Sequence, residues 1–420
     1  MIRHCILFAA VAAVAHSADE WPRFLGPEGN NHTPAKGLPL EWSEKKNIKW
    51  KTPLPGEGWS SPVVGGGRIY CTTALDDGRS LRALSVELAT GKILWDVEVF
   101  TNAESPVKHK RNSHASPTPW LEGERLYVTF GPSGTACLSI KDGAKLWANR
   151  ELKWDTQNGP GASVSGTADL LLFACDGIDV QFGAALNKAD GKLVWKTERS
   201  GKAQLAQKPT DMHKAYGTPF VLPVDGQLQS VTTGAQRLYS LDPATGKELW
   251  FVNYPGFSNV PMPQTDGKTL YISTGFNKAE LWAIKLGGAT GDATGSHVLW
   301  KQIKGAPTES TPLIVGDRVY TLNGGMGTCL NATTGEVIWQ SRFGGDSPTR
   351  VVSDFASTPL LAEGRIYCFD AWGRTYVFAP GDTYQQLASN RLTDGCMASP
   401  AVVGKALIVR TKTALYRIEE

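Results

Sequence analysis

The chain has 420 residues, a formal charge of +3, 45 glycines and 14 tryptophans. It is close to neutral and has no basic block interleaved with aromatics, so nucleic acid is excluded as a partner. Beyond the N-terminus no run is apolar enough to span a bilayer, which excludes a stable membrane span.

The first predicted element is a secretory signal over residues 1–17. Arg3 and His4 form a short basic region, CILFAAVAAVA is the apolar stretch, and Ala15, His16 and Ser17 offer small residues at cleavage spacing. Cys5 stands too early to serve as a lipoprotein cysteine, so the mature protein is expected to be periplasmic or secreted. A lead segment follows over 18–46 and a repeat region over 47–420.

Along that region one phrase recurs. It ends at Trp95, Trp147, Trp195, Trp250 and Trp339, each time with a Gly four residues earlier, as in LDPATGKELW. The copy ending at Trp300 has one extra residue in that interval, and KKNIKW, ending at Trp50, is the tail of a further copy. Repeats of roughly 40 to 55 residues are the range of propellers and solenoids, and they share one core, which predicts a single domain. Each unit opens on a small residue, Pro and an apolar run, at Ser60, Ala115, near Ser165, Thr218 and Val260, then at Ser310, Ser357 and Ala398, which makes eight openings.

Within a unit, PLIVGDRVYTL alternates around a Gly-Asp turn as a two-stranded hairpin, and GTCLNATTGEVIWQ supplies a third strand, a tight turn and a fourth strand bearing the Trp. Asp242 or Asn331 can bond the backbone ahead of it, and Gly246 or Gly335 can take the positive φ that closes the turn. A four-stranded sheet alone leaves both faces bare, and radial stacking covers them. Trp50, Trp95, Trp147, Trp195, Trp250, Trp300 and Trp339 are therefore expected to dock neighbouring blades, rather than to stack on a carbohydrate or cofactor.

The last unit stops at ALYRIEE without a Trp strand, and NIKWKTPL near the start is an orphan one. The reading is an all-β, eight-bladed β-propeller of four-stranded antiparallel blades, closed by an N-terminal strand that completes the last blade. Blade 7 is degraded, with FAPGDTYQQLAS in place of the Trp phrase.

Six cysteines remain after cleavage. Cys71 and Cys368 occupy one repeat position and Cys137 and Cys329 another, too far apart for a bridge, so these are expected to be buried fillers. Cys175 and Cys396 are left unassigned.

The phrase D-x-x-T-G-K-x-x-W with its Ser/Thr-Pro opening resembles the pyrroloquinoline quinone (PQQ) repeat, shared by quinoprotein dehydrogenases and BamB-type outer-membrane assembly factors. The lead WPRFLGPEGN is similar to that of a group of exported PQQ-like repeat proteins. The enzyme branch implies a planar quinone near the axis beneath a ring of adjacent cysteines, with Ca²⁺ and an Asp base; this sequence has no Cys-Cys pair and no C-x-x-C-H haem site, and it is short for that class. The BamB branch implies a binding scaffold, though one anchored through a lipid-bearing cysteine that this sequence lacks. The expectation is a non-catalytic scaffold with no cofactor, binding a protein partner in cell-envelope assembly or a small anionic ligand; the alternative is a PQQ- and Ca²⁺-dependent alcohol or sugar dehydrogenase.

In such blades the connection from a fourth strand to the next first strand shares a face with the turn between strands two and three, and function should gather there. SPVKHKRNSHASP brings His109, Arg111 and His114; KPTDMHKAYGTP brings His213, Lys214 and Tyr216; GGDSPTRVVSDFASTP brings Asp346, Arg350 and Asp354. These predict a polar funnel for an anionic molecule or an acidic segment, with Arg111 and Arg350 as fork-shaped donors. His109, His114 and His213 lack the close pairing of a zinc site, so no metal is expected.

Overall fold

A computed structural model describes residues 20–343 and 354–420, and its strands form eight small antiparallel sheets. The predicted signal peptide, Asp346 and Arg350 lie outside the described residues. Blade 6 shows the common plan: Leu313–Val315, Arg318–Asn323, Met326–Asn331 and Val337–Arg342 pair in sequence order. Val315 pairs with Arg318 across the Gly316-Asp317 turn. Asn331 Oδ1 accepts the N–H groups of Thr333 and Thr334 at 2.8 and 3.0 Å and pins the turn between strands three and four.

Next to that turn the ladder slips by one residue: Cys329 pairs with Trp339, but Leu330 pairs with Val337. The same bulge recurs in the other blades, at Leu94, Leu146, Val194, Leu249, Leu299, Leu387 and, in the closing strand, Lys49. A bulge re-aims the side chains beside it. In blades 1, 2, 3 and 5 it leaves the residue before the Trp on the outside, which is why Leu94, Leu146, Val194 and Leu299 are exposed apolar residues, and it turns the indole toward the next blade.

There the indole N–H donates to a carbonyl in the neighbour's turn. Trp50 reaches Leu88 at 3.0 Å, Trp95 reaches Ile140 at 3.1 Å and Trp147 reaches Lys188 at 2.9 Å. Trp195 reaches Pro243 at 3.0 Å, Trp300 reaches Ala332 at 3.0 Å and Trp339 reaches Gly381 at 2.9 Å. The turn glycine lies flat against the incoming ring: a Cβ on Gly91 would stand 2.7 Å from Trp50, and one on Gly335 would stand 2.6 Å from Trp300. The Gly is thus required by contact as well as by backbone conformation.

Trp250 is the exception. Blade 5 inserts a segment between Leu281–Lys285 and Val298–Gln302, and its Gly291–Asp292 pairs in parallel with Trp250 and Phe251 as a fifth strand on blade 4. Trp250 is buried there, and its indole turns back to Gln229 Oε1 of its own blade at 2.8 Å.

Closure is as read from the sequence: Ile48–Pro53 pairs antiparallel with Ala414–Ile418 and forms the fourth strand of blade 8. Blade 7 keeps a fourth strand, Gln385–Arg391, without a Trp. The segment before closure crosses the inner strands of several blades. Trp21 exchanges backbone bonds with Val64, Leu121 donates to Pro22 O, Gln264 Nε2 donates to Gly29 O at 3.1 Å, and His32–Thr33 pairs in parallel with Leu361 and Ala362. Residues 21–33 therefore lie across the channel. The six described cysteines are free and buried, and burial pushes their thiols up.

Candidate functional site

The Ser/Thr-Pro openings meet at the axis. The backbone N–H of Ser61 donates to Thr118 Oγ1 at 3.0 Å, Thr118 to Ser163 Oγ at 2.9 Å, and Ser163 to Thr218 Oγ1 at 2.9 Å. Met262 donates to Thr311 Oγ1 at 3.1 Å, Thr358 to Ser399 Oγ at 3.0 Å, and Ser399 back to Ser61 Oγ at 3.0 Å. This crown passes from blade to blade with two gaps: Met262 stands in place of a hydroxyl residue between blades 4 and 5, and among the described residues no such bond joins Thr311 of blade 6 to Thr358 of blade 7. In blade 2 the crown residue is Thr118, three positions after the opening read at Ala115; in blade 3 it is Ser163 rather than Ser165.

Above the crown lies a cavity of about 320 Å³ to which all eight interblade connections contribute. Phe24, from the segment that crosses the channel, also lines it, beside Trp59, Tyr216 and Phe276. Of the predicted residues, His109, Arg111 and Tyr216 line this cavity. Arg111 reaches across it, donating through Nη2 to Glu309 at 3.1 Å and Asp354 at 2.6 Å, from the connection after blade 1 to those after blades 5 and 6. It is therefore an engaged cation rather than an open fork. Burial pushes the Glu309 carboxyl up, Arg111 opposes that, and Asp354 adds to it.

The remaining predicted histidines and Lys214 are engaged within or between neighbouring loops. His114 is buried with Nε2 at 3.3 Å from Asp77 Oδ1, and burial lowers its pKa. His213 Nε2 sits 3.1 Å from Lys208 O. The Lys214 ammonium is buried against Asp211 and Gln157, tying two connections together. The three histidines do not assemble, and among the described residues no group of His, Cys, Asp and Glu could hold a metal ion.

Glu309, Trp59, Phe24 and Phe276 were not anticipated. The crown was visible in the sequence, but as a mark of the repeat. A PQQ–Ca²⁺ centre does not fit the described residues. The quinone carries three carboxylates, whereas the described lining offers one Lys or Arg, Arg111, already shared by Glu309 and Asp354.

Residues 37–173 and 181–420 match a family model described as "Outer membrane protein assembly factor BamB". The quinoprotein ethanol dehydrogenase of Pseudomonas aeruginosa is 30% identical over 194 residues, 44% of this chain and 29% of that protein. The chain spans less than two thirds of the length of the curated relatives it matches, 61% at most. Among solved structures, BamB from Moraxella catarrhalis superposes with a TM-score of 0.56 at 13% identity, covering 88% of this chain and 99% of that one. The quinohemoprotein alcohol dehydrogenase from Comamonas testosteroni gives 0.66 at 10%, covering 95% and 80%. At such identities the likeness is one of fold.

Proposed function

The chain belongs to the BamB-type family of PQQ-like repeat β-propellers, and from that premise we propose that it is an exported, non-catalytic scaffold that holds a ligand in its axial cavity and docks a cell-envelope protein on the surrounding face. The observation that carries the reading is the cross-axis bridge. Arg111 is committed to Glu309 and Asp354, so the cavity supports binding by shape and hydrogen bonding rather than by an open cationic funnel. Docking on the same face is supported by exposed apolar side chains on its loops: Val107, Val180, Val260, Phe276, Ile303 and Trp372. No helix among the described residues is long and apolar enough to cross a membrane.

The competing reading, a quinoprotein dehydrogenase, draws on the stretch similar to the ethanol dehydrogenase. Titrating the mature protein with PQQ and Ca²⁺, followed by calorimetry and quinone absorbance, separates the two. The scaffold reading expects no saturable binding and no dye-linked alcohol oxidation. Tight one-to-one binding overturns it and makes Glu309 and Asp354 candidate metal ligands.

A further inference from the structure

We propose, resting on the cavity being a binding site, that its ligand is a neutral polyhydroxylated molecule, a mono- or disaccharide. The crown supplies the first reason. Ser61, Thr118, Ser163, Thr218, Thr311, Thr358 and Ser399 all line the cavity and are each at most 5% exposed. Six of these hydroxyls accept a backbone N–H. Accepting leaves each O–H proton unused, and among the described residues none of the seven has an acceptor for it. A buried donor without an acceptor costs about 1 to 3 kcal/mol. A ring of such donors on one cavity wants several oxygen atoms at once, from water or from a ligand.

The walls supply the second reason. The Trp59 indole N–H is spent on Arg111 O at 3.1 Å and the Tyr216 hydroxyl on Thr156 O at 2.7 Å. What these residues offer the cavity is ring surface, joined by Phe24 and Phe276. Such surface suits the C–H face of a pyranose. In the wall, Glu309 can accept O–H groups, and Arg111 is shared between it and Asp354. An anion would face a cation already paired with two carboxylates, and a cation would compete with Arg111. A neutral ligand with hydroxyls on its edges and C–H faces meets all three surfaces. A volume of about 320 Å³ is at the lower end for ligand pockets, which favours one or two sugar units over a long polymer.

The test uses the mature protein with ¹³C-methyl methionine. Met397 lines the cavity, and its methyl signal is the reporter for anything that enters. The probes are glucose, galactose, N-acetylglucosamine, maltose and cellobiose, with glucuronate and cadaverine as charged counterparts. Saturable, one-to-one movement of the Met397 signal by a neutral sugar is expected. Thr358→Val removes a crown hydroxyl that makes no hydrogen bond among the described residues, and Phe276→Ala removes an exposed wall; each should weaken binding about tenfold without lowering the thermal unfolding temperature. Three outcomes overturn the proposal. If only glucuronate or cadaverine moves Met397, the cavity is a binding site for another class of ligand and the sugar assignment falls alone. If a sugar binds but neither variant weakens it, the sugar sits elsewhere. If no probe moves Met397, the sugar assignment falls together with its premise of a ligand-binding cavity.

Discussion

Gly246 is held by two constraints. Its φ is +72°, and a Cβ there would run into the Trp195 ring and stand 2.6 Å from Thr197 Oγ1. Gly316 shares the positive φ, at +58°, but faces open space. The two positions separate backbone strain from contact. Gly316→Ala should cost about 1 to 2 kcal/mol, the strain alone. Gly246→Ala should cost about 2 to 5 kcal/mol, because displacing the docked ring adds overpacking. Denaturant unfolding of both variants checks this, and equal losses would show that the ring yields freely. Glu309 carries a prediction of different sign. Burial raises its folded pKa above the unfolded one, so folding takes up a proton between the two values. Its contribution to stability therefore falls as pH rises through that window and stays low above it. Glu309→Gln keeps an acceptor for Arg111 and removes the titration. The variant should melt above the parent at pH 7, and the gap should close once the pH drops below the unfolded value of about 4.3. A gap that widens toward low pH would mean that the attraction of Arg111 outweighs burial.

At the scale of the blade, the half-buried Trp of the fourth strand is a dock with two components. Trp147 donates to Lys188 O at 2.9 Å and covers Gly191 of the next turn. Trp147→Phe should lose mainly the hydrogen bond, about 1 kcal/mol, and Trp147→Ala should lose about 3 kcal/mol with the packing. Thermal unfolding of the pair checks the split; equal losses would mean that the indole N–H, rather than ring area, holds the blades together. The blade was legible because its demands are local and repeated: a Gly four residues before a Trp fixes a turn, a bulge and a dock at once. Even the irregular blade 5 announced itself, since the extra residue before Trp300 belongs to the insertion that sheathes Trp250. The site was less legible because its contacts are not local. Arg111 meets Glu309 across 198 positions of chain, and nothing near Glu309 in GAPTESTP marks it as a partner. His114, His213 and Lys214 looked equally rich in chemistry, yet each is consumed within or between neighbouring loops, where spacing alone cannot distinguish a satisfied group from a free one.

In the whole molecule two hydrogen-bonded circuits hold the blades, the hydroxyl crown at the axis and the indole docks farther out. Both lose their link between blades 4 and 5, where Met262 replaces a hydroxyl and the insertion diverts Trp250. The segment His32–Thr33 and the strand Ile48–Pro53 then tie the start of the chain to blades 7 and 8. The closing strand brings Trp50 onto Leu88 of blade 1 at 3.0 Å, so it completes one blade and docks the next. Pairing Ile48 with Ile418 joins positions 370 residues apart, a non-local contact that carries a loop-closure cost. Two truncations separate closure from the channel-crossing segment. A chain starting at Lys36 removes residues 21–33 but keeps the closing strand; it should unfold in one cooperative transition, somewhat destabilised, with a channel open at both ends. A chain starting at Leu54 leaves Ala414–Ile418 as a bare edge and the turn at Gly91 uncovered. It should lose more than about 4 kcal/mol, the loss of a docked Trp with a paired strand, and its unfolding should broaden as blades 8 and 1 separate before the rest. Circular dichroism and tryptophan fluorescence followed through the same denaturant series decide between these outcomes. Coincident, unshifted transitions for the chain starting at Leu54 would mean that the crown and the remaining docks hold the ring without its closing strand.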